Sequence, residues 1–408
     1  MPKRPLEHPL RPGLSQIPTP VQPPSPDLPT ALLGNLTPAQ FMHQYWQKKP
    51  LLVRQAISDI RAPLSRDELF ELAGNDVEAR LVTHFRNQWQ MQHGPFAASD
   101  LPSIRQRAWT LLVQGVDLHD DRARALLERF RFVPDVRLDD LMISYATDGG
   151  GVGAHFDSYD VFLLQVHGKR RWRIGAQRDL SLRPDLPLKV LQHFEPDEEW
   201  LLEPGDMLYL PPHIAHDGIA EGECMTCSIG FRAPSTSELT TQFLYYMAER
   251  GEMSGQLATP YRDPRQPAVT HPAQLPGALI EQVSAMLAKV TWKPQHVAAF
   301  LGTYFSEPKP SVVFEPPRRP LNEARFIQQA LKTGLRLDRK TILLYDNRAY
   351  FLNGEENRLT GLKKWLPLLA DTRHLEARRF VTLSHDSSVT ALLYEWYCAG
   401  WIQIGACH

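Results

Sequence analysis

The sequence predicts an α+β protein in three parts: a β-rich sandwich or barrel, a helical block, and a small winged-helix-like unit. Three observations carry this. Between Asp139 and Phe231, short apolar runs (LMISYA, DVFLLQV, RRWRIG, EPGDMLYLP, CMTCSIGF) are broken by Gly and Pro, as many short strands require. Beyond Pro234 the period turns helical, with Leu239, Phe243, Tyr246 and Met247 on one stripe. Past a proline-punctuated stretch ending at Pro320, helical segments flank two strand-like runs, TILLYD and AYFLN.

Length and composition agree with that division. At 408 residues the chain exceeds a usual single domain. The expected boundaries are a disordered Pro-rich tail over 1–30, the β-rich domain over 31–234, the helical region over 235–307 and the winged-helix-like unit over 308–408. The 45 basic and 46 acidic residues nearly cancel, so no basic field exists to hold nucleic acid, and no direct DNA binding is expected. Four cysteines argue against a disulfide scaffold and fit a reducing compartment. Cys224 and Cys227 form a CxxC within a strand, where i and i+3 face opposite sides, so they read as small core thiols. No apolar run approaches a membrane span and the N-terminus lacks an apolar signal core, so a soluble cytoplasmic protein is expected.

In chain order, Thr37 caps a first helix with Pro38 at its opening position, and Phe41, Tyr45 and Trp46 dock it on the core. Ser65 and Glu68 have capping-box spacing for a second helix that Gly74 ends. Strands follow in ARLVTHF, NQWQMQHGPF and WTLLVQGVD. DRARALLERF then reads as an amphipathic helix with Ala123, Leu126, Leu127 and Phe130 inward. His84, His93 and His119 have no suitably spaced partner and read as structural or surface residues. Within the β-rich region, EPDEEW (Glu195 to Trp200) reads as a solvated acidic loop that could draw in a basic substrate. In SELTTQFLYYMAER, Ser237 is the expected N-cap. GALIEQVSAMLAKV and HVAAFLGTYF are further helices, whose apolar stripes raise the expectation of a homodimer.

The chemistry concentrates in GGGVGAHFDSYDVFLLQVHGKRRW. His155 and Asp157 are two residues apart, so on a strand they share a face. PGDMLYLPPHIAHDG then delivers His216, with His213 as its rival. Two imidazoles and one carboxylate suit iron(II) and leave positions open; both imidazoles must be neutral, so loading should weaken in acid. Nearby, alternation points Arg170 and Trp172 one way and Lys169 and Arg171 the other. An inward arginine needs an anionic partner, which a dicarboxylate would supply through a bidentate fork.

Taken together, FMHQYWQKKPLLVRQA, HGPF, DDLMISY, GGGVGAHFDSYDVFLLQ, RRWRIG, EPGDMLYLPPHIAHDG and SIGFRAP resemble the JmjC-type, cupin-fold oxygenases that use iron(II) and 2-oxoglutarate. They are most similar to the bacterial ribosomal oxygenases that hydroxylate an arginine of large-subunit ribosomal protein L sixteen. The resemblance implies a double-stranded β-helix (cupin/JmjC jelly roll), a helical dimerisation region and a winged-helix-like C-terminal domain. It implies iron on His155, Asp157 and His216 rather than His213, and Arg170 on the distal carboxylate of 2-oxoglutarate, with molecular oxygen as the other co-substrate. It also implies that Ser144, Tyr145, Thr226 and Ser228 line the co-substrate pocket, with one of the adjacent Ser144 and Tyr145 pointing inward. Alternative readings are a demethylase or a hydroxylase of another residue, a cupin metalloenzyme without 2-oxoglutarate, and a metal-sensing winged-helix regulator.

Overall fold

The structure is a computed structural model that describes residues 24–85, 88–250 and 260–405. Most of the expected Pro-rich tail therefore lies outside the described residues. By its contacts the chain divides into two units, one of residues 1–233, 309–341 and 362–408, the other of 234–308 and 342–361.

Nine strands of the first unit make one antiparallel sheet: β1 (Leu51–Val53), β2 (Ala79–Phe85), β3 (Gln88–His93), β4 (Trp109–Val113), β5 (Leu138–Ala146), β6 (Val161–Gly175), β7 (Glu198–Leu202), β8 (Met207–Leu210) and β9 (Ala215–Phe231). Their spatial order is β1-β8-β6-β9-β5-β4-β2-β3, with β7 also on β6. The long β6 and β9 form its spine. One edge of β6 is shared in turn by β8, over Val161–Leu164, and β7, over Arg170–Ile174.

Between those two stretches β6 changes register against β9 at Gln165, His167 and Lys169. A bulge of this kind inserts an unpaired residue, bends the strand and resets its alternation. Gly168 makes it possible: its φ is +60°, and a Cβ there would lie 2.0 Å from the Glu223 carbonyl oxygen. The Gln165 amide donates to the carbonyls of His167 (2.7 Å) and Gly168 (3.3 Å), tying the bulge down.

The two faces of the sheet differ. On one, Leu81, Leu111, Ile143, Tyr145, Phe162, Leu164, Tyr209, Met225, Cys227 and Ile229 join a single apolar core. Helices α1 (Pro38–Gln44), α2 (Arg66–Ala73) and α3 (Asp121–Glu128) cover it with Phe41, Leu69, Leu126 and Leu127. All three start as their sequences dictate, α1 and α2 with complete capping boxes at Thr37 and Ser65, α3 with Asp120 accepting from two backbone amides. On the other face, Val161, Leu163, Trp172, Ile174, Leu202, Leu208 and Leu210 form a smaller apolar lining. Cys224 and Cys227 fall on opposite sides as alternation requires, in different clusters.

Two local expectations need correction. EPDEEW is not wholly a loop: from Glu198 it is strand β7, and Glu199 meets Arg171 at 2.5 Å. An acidic strand beside a basic one finds its counter-charges by pairing, which leaves little field to attract a substrate. The helix over Thr236–Glu249 is capped not by Ser237 but by Ser235, whose hydroxyl accepts from the Glu238 amide at 3.1 Å. Two cap candidates, Ser235 and Ser237, stand two residues apart here, and the backbone leaves the extended conformation after the first.

The rest of the first unit holds helices Glu323–Thr333, Leu366–Thr372, Ala377–Leu383 and Ser387–Cys398, with Leu335–Leu337 paired between His374–Leu375 and Ile402–Ile404. Asp121 of α3 accepts from Arg336 (3.3 Å) and Arg339 (3.0 Å). In the second unit, helices Thr236–Glu249, Gly277–Leu287 and Pro294–Ser306 accompany a three-stranded sheet of Leu343–Tyr345, Ala349–Leu352 and Glu355–Arg358. Phe243, Met247 and Phe300 form its buried centre, with Leu239 and Tyr246 beside them. Gly302 is forced by packing: a Cβ would lie 2.3 Å from the Phe351 ring.

Candidate active site

The glycine-rich segment before His155 is laid against β9. Gly149 donates to the Ala220 carbonyl and Ala220 returns a bond to Gly150, both at 2.9 Å. At Gly151 a Cβ would sit 2.6 Å from the Gly218 oxygen, so the close approach demands glycine. His155 and His216 then form an isolated antiparallel bridge, exchanging backbone bonds of 2.9 and 2.8 Å. Their rings lie 4.2 Å apart.

Ligand atoms of His155, Asp157 and His216 all fall within 4.8 Å of one another. The tautomers follow from the backbone. The Nδ1 of His155 faces the Gly153 carbonyl and that of His216 the Ile214 carbonyl, each at 2.9 Å. A carbonyl only accepts, so both Nδ1 atoms carry the proton and both Nε2 lone pairs are free for a metal. The Nε2 of His216 lies 3.7 Å from the Asp157 carboxylate. Burial, reinforced by His155, pushes the His216 imidazole down to about 4, so it stands neutral and ready to ligate. His213 is exposed and outside this group; its backbone amide donates to the Asp157 carbonyl at 2.8 Å.

Four residues before Ile174, which lies opposite His216, β6 brings Arg170 to the same face. That offset is about 13 Å along the strand, part of which the arginine arm spans. Arg170 is 5% exposed, and Trp172 is buried beside it, while Lys169 and Arg171 point out to Glu203 and to Glu199 and Glu221. One guanidinium nitrogen of Arg170 donates to the Ser144 hydroxyl at 3.1 Å. Its Nε and its second terminal nitrogen are buried with no partner. Unpaired buried charge is costly, so this fork suits an anion of two oxygens.

Thr226, opposite Ser144, is fully buried and its hydroxyl donates to the Gln165 side chain at 2.8 Å. Ser228 lies on the same face, opposite Leu163, and is 9% exposed. Tyr145 departs from expectation. Alternation turns it to the opposite face, where its ring packs against Phe70 (5.0 Å) and Trp109 (5.2 Å) in the apolar core. Of the adjacent pair, Ser144 is the one that meets Arg170.

The donor set and the unpartnered Arg170 nitrogens both fit a metal and a dicarboxylate. Comparisons with known proteins agree. Residues 125–239 match the JmjC domain model, and residues 285–403 the ROXA-like winged helix. The chain is 36% identical to the Escherichia coli ribosomal protein uL16 3-hydroxylase over 362 residues, which covers 86% of this chain and 94% of the relative. It belongs to the JmjC-type ribosomal oxygenases. The structure of YcfD, a ribosomal oxygenase from Escherichia coli, in complex with cobalt and 2-oxoglutarate superposes with a TM-score of 0.76 at 33% identity, covering 90% of this chain and 98% of that one. A probable ribosomal oxygenase of Haemophilus influenzae is 38% identical over 210 residues, half of this chain and 52% of the relative.

For this ribosomal oxygenase the expected architecture is thus in place: the JmjC double-stranded β-helix and the winged helix. One buried polar residue on the co-substrate side escaped the sequence, Gln165. A glutamine inside DVFLLQV was a visible signal, because an amide in so apolar a run needs a partner. Alternation with Val161 and Leu163 turns it inward; the bulge that lets Arg170 join it was not visible.

Proposed function

We propose that this protein is an iron(II)- and 2-oxoglutarate-dependent hydroxylase that adds oxygen to an arginine side chain of ribosomal protein uL16. The observation that carries the reading is Arg170, a buried guanidinium with two unpartnered nitrogens on the same strand face as the His155–Asp157–His216 cluster. That combination suits a metal chelated by one end of a dicarboxylate whose other end is held by the arginine. Its uL16 3-hydroxylase relative extends the reading to the ribosome. When bound, the metal and 2-oxoglutarate supply oxidising chemistry, one atom of molecular oxygen going to the substrate carbon and the other to succinate, with loss of carbon dioxide.

The chain's own part is placement. His155 and His216 would offer Nε2, and Asp157 a carboxylate oxygen, in an arrangement that leaves other positions open. Arg170, steadied by Ser144, would fix the far carboxylate, with Thr226 and Ser228 on neighbouring strands. The lining of Val161, Leu163, Trp172, Ile174 and Leu208 excludes water from the reacting centre.

We further propose that two copies associate through the helical region and that the enzyme works in the cytoplasm, where ribosomes are made. Helix Gly277–Leu287 buries none of its residues within the chain, and it exposes Ile280 (53%) and Leu287 (64%). No helix among the described residues is long and apolar enough to cross a membrane. Ile280→Glu with Leu287→Glu should shift sedimentation from dimer to monomer.

Intact-mass spectrometry of uL16 incubated with the enzyme, Fe(II), 2-oxoglutarate and air tests the activity. One added oxygen, absent without 2-oxoglutarate, is expected. Succinate formation with no change in uL16 would retain the oxygenase and discard this substrate.

A further inference from the structure

His155 takes its orientation from the Gly153 carbonyl, and Gly153 itself is buried in a left-handed turn with φ +82°. That turn is gripped from two sides. A Cβ built on Gly153 would lie 3.1 Å from a methyl of Val190, and 3.2 and 3.3 Å from the Cζ2 and Cη2 atoms of Trp89. On the Val190 side the grip is completed by backbone, since the Leu191 amide donates to the Ala154 carbonyl at 2.8 Å.

Trp89 comes from β3, the edge strand at the far end of the sheet order. It lies directly opposite His84 of β2, and the two rings stack at 4.1 Å with 10° between planes. Cross-strand stacking of this kind orders both rings. The indole faces Gly153 with its Cζ2 and Cη2 atoms. Trp89 is only half-buried and stands outside the main apolar core, so burial alone does not account for its place.

We infer that Trp89, held by His84, is a positioning residue for the metal: it fixes the Gly153 turn, and through the Gly153 carbonyl the tautomer and direction of His155. This rests on the metal reading above. Partners that orient a ligating histidine typically change metal affinity by about tenfold to a hundredfold when removed. The contact needs the outer, six-membered ring of the indole, because Cζ2 and Cη2 are the touching atoms. Trp89→Phe can preserve stacking on His84 yet not reach Gly153.

The test is titration of the metal-free full-length protein with Co(II), followed by its visible absorption, with thermal melts in parallel. Trp89→Ala and Trp89→Phe should both weaken Co(II) binding about tenfold or more and alter the ligand-field bands. His84→Ala, which leaves the indole in reach, should weaken it less. If Trp89→Phe binds Co(II) as wild type does, with the same spectrum, the inference is overturned and the tryptophan serves only the hairpin. A variant that fails to melt cooperatively is set aside in favour of Trp89→Phe and His84→Ala. Failure of the wild-type protein to bind Co(II) at all would sink the metal reading itself, a separate outcome.

Discussion

The two faces of the central sheet are made by the same strands and put to opposite uses. On the covered face, Phe162 is fully buried with Phe41, Phe130, Tyr209 and Phe231 around it, and the contacts are apolar. On the inner face, one residue along, Gln165, Ser144, Thr226 and Arg170 are buried and polar, and Arg170 is left short of partners. A two-residue period thus separates what holds the fold from what performs the chemistry. The difference teaches that a substitution should cost stability on one face and function on the other.

The largest expected break is on the inner face. Asp157→Ala should abolish uL16 hydroxylation while leaving the melting temperature close to wild type, because the carboxylate is only partly buried and packs in no core. Retained turnover in a succinate-release assay would remove Asp157 from the metal set. Phe162→Ala is the mirror image. It should cost about 3–5 kcal/mol in urea unfolding, with 2-oxoglutarate turnover per folded molecule little changed at low temperature. A milder change, Ser144→Ala, takes one hydrogen bond from Arg170. It should raise the KM for 2-oxoglutarate about threefold to tenfold, as loss of one supporting hydrogen bond worth about 0.5–1.5 kcal/mol implies, with the KM for uL16 unmoved.

A further effect concerns pH. Burial raises the Asp140 carboxyl to about 6, against the pull of Lys309. A carboxyl whose folded value exceeds its unfolded one binds more protons folded, so its contribution improves as pH falls through about 6 towards 4. The melting temperature of wild type relative to Asp140→Asn should therefore rise over that window. A flat difference would show that Asp140 does not titrate there.

Much of this contrast was legible in the sequence. HxD spacing, the glycine lead-in and the later His216 marked the cluster, and alternation turned Arg170 and Trp172 together. Helix caps at Thr37 and Ser65 were readable because a cap is decided within four residues. What was not legible depends on distant chain. Gln165 and Arg170 are five apart, so strict alternation sets them on opposite faces; only the bulge at Gly168 brings both inward. Trp89 lies more than sixty residues before His155, and nothing local announces that its ring touches Gly153. Tyr145 shows the converse: proximity in sequence to Ser144 carried it into the expected pocket, and the same alternation took it out.

The contrast stands or falls most directly on calorimetric binding of 2-oxoglutarate to the cobalt-loaded protein and to its Arg170→Gln variant. Wild type should bind 2-oxoglutarate only when cobalt is present, and the variant should bind roughly tenfold to a hundredfold more weakly, the expected loss for a charge-assisted pair. Equal affinity in the two proteins, or tight binding without metal, would contradict the placement of the co-substrate between Arg170 and the His155–Asp157–His216 cluster.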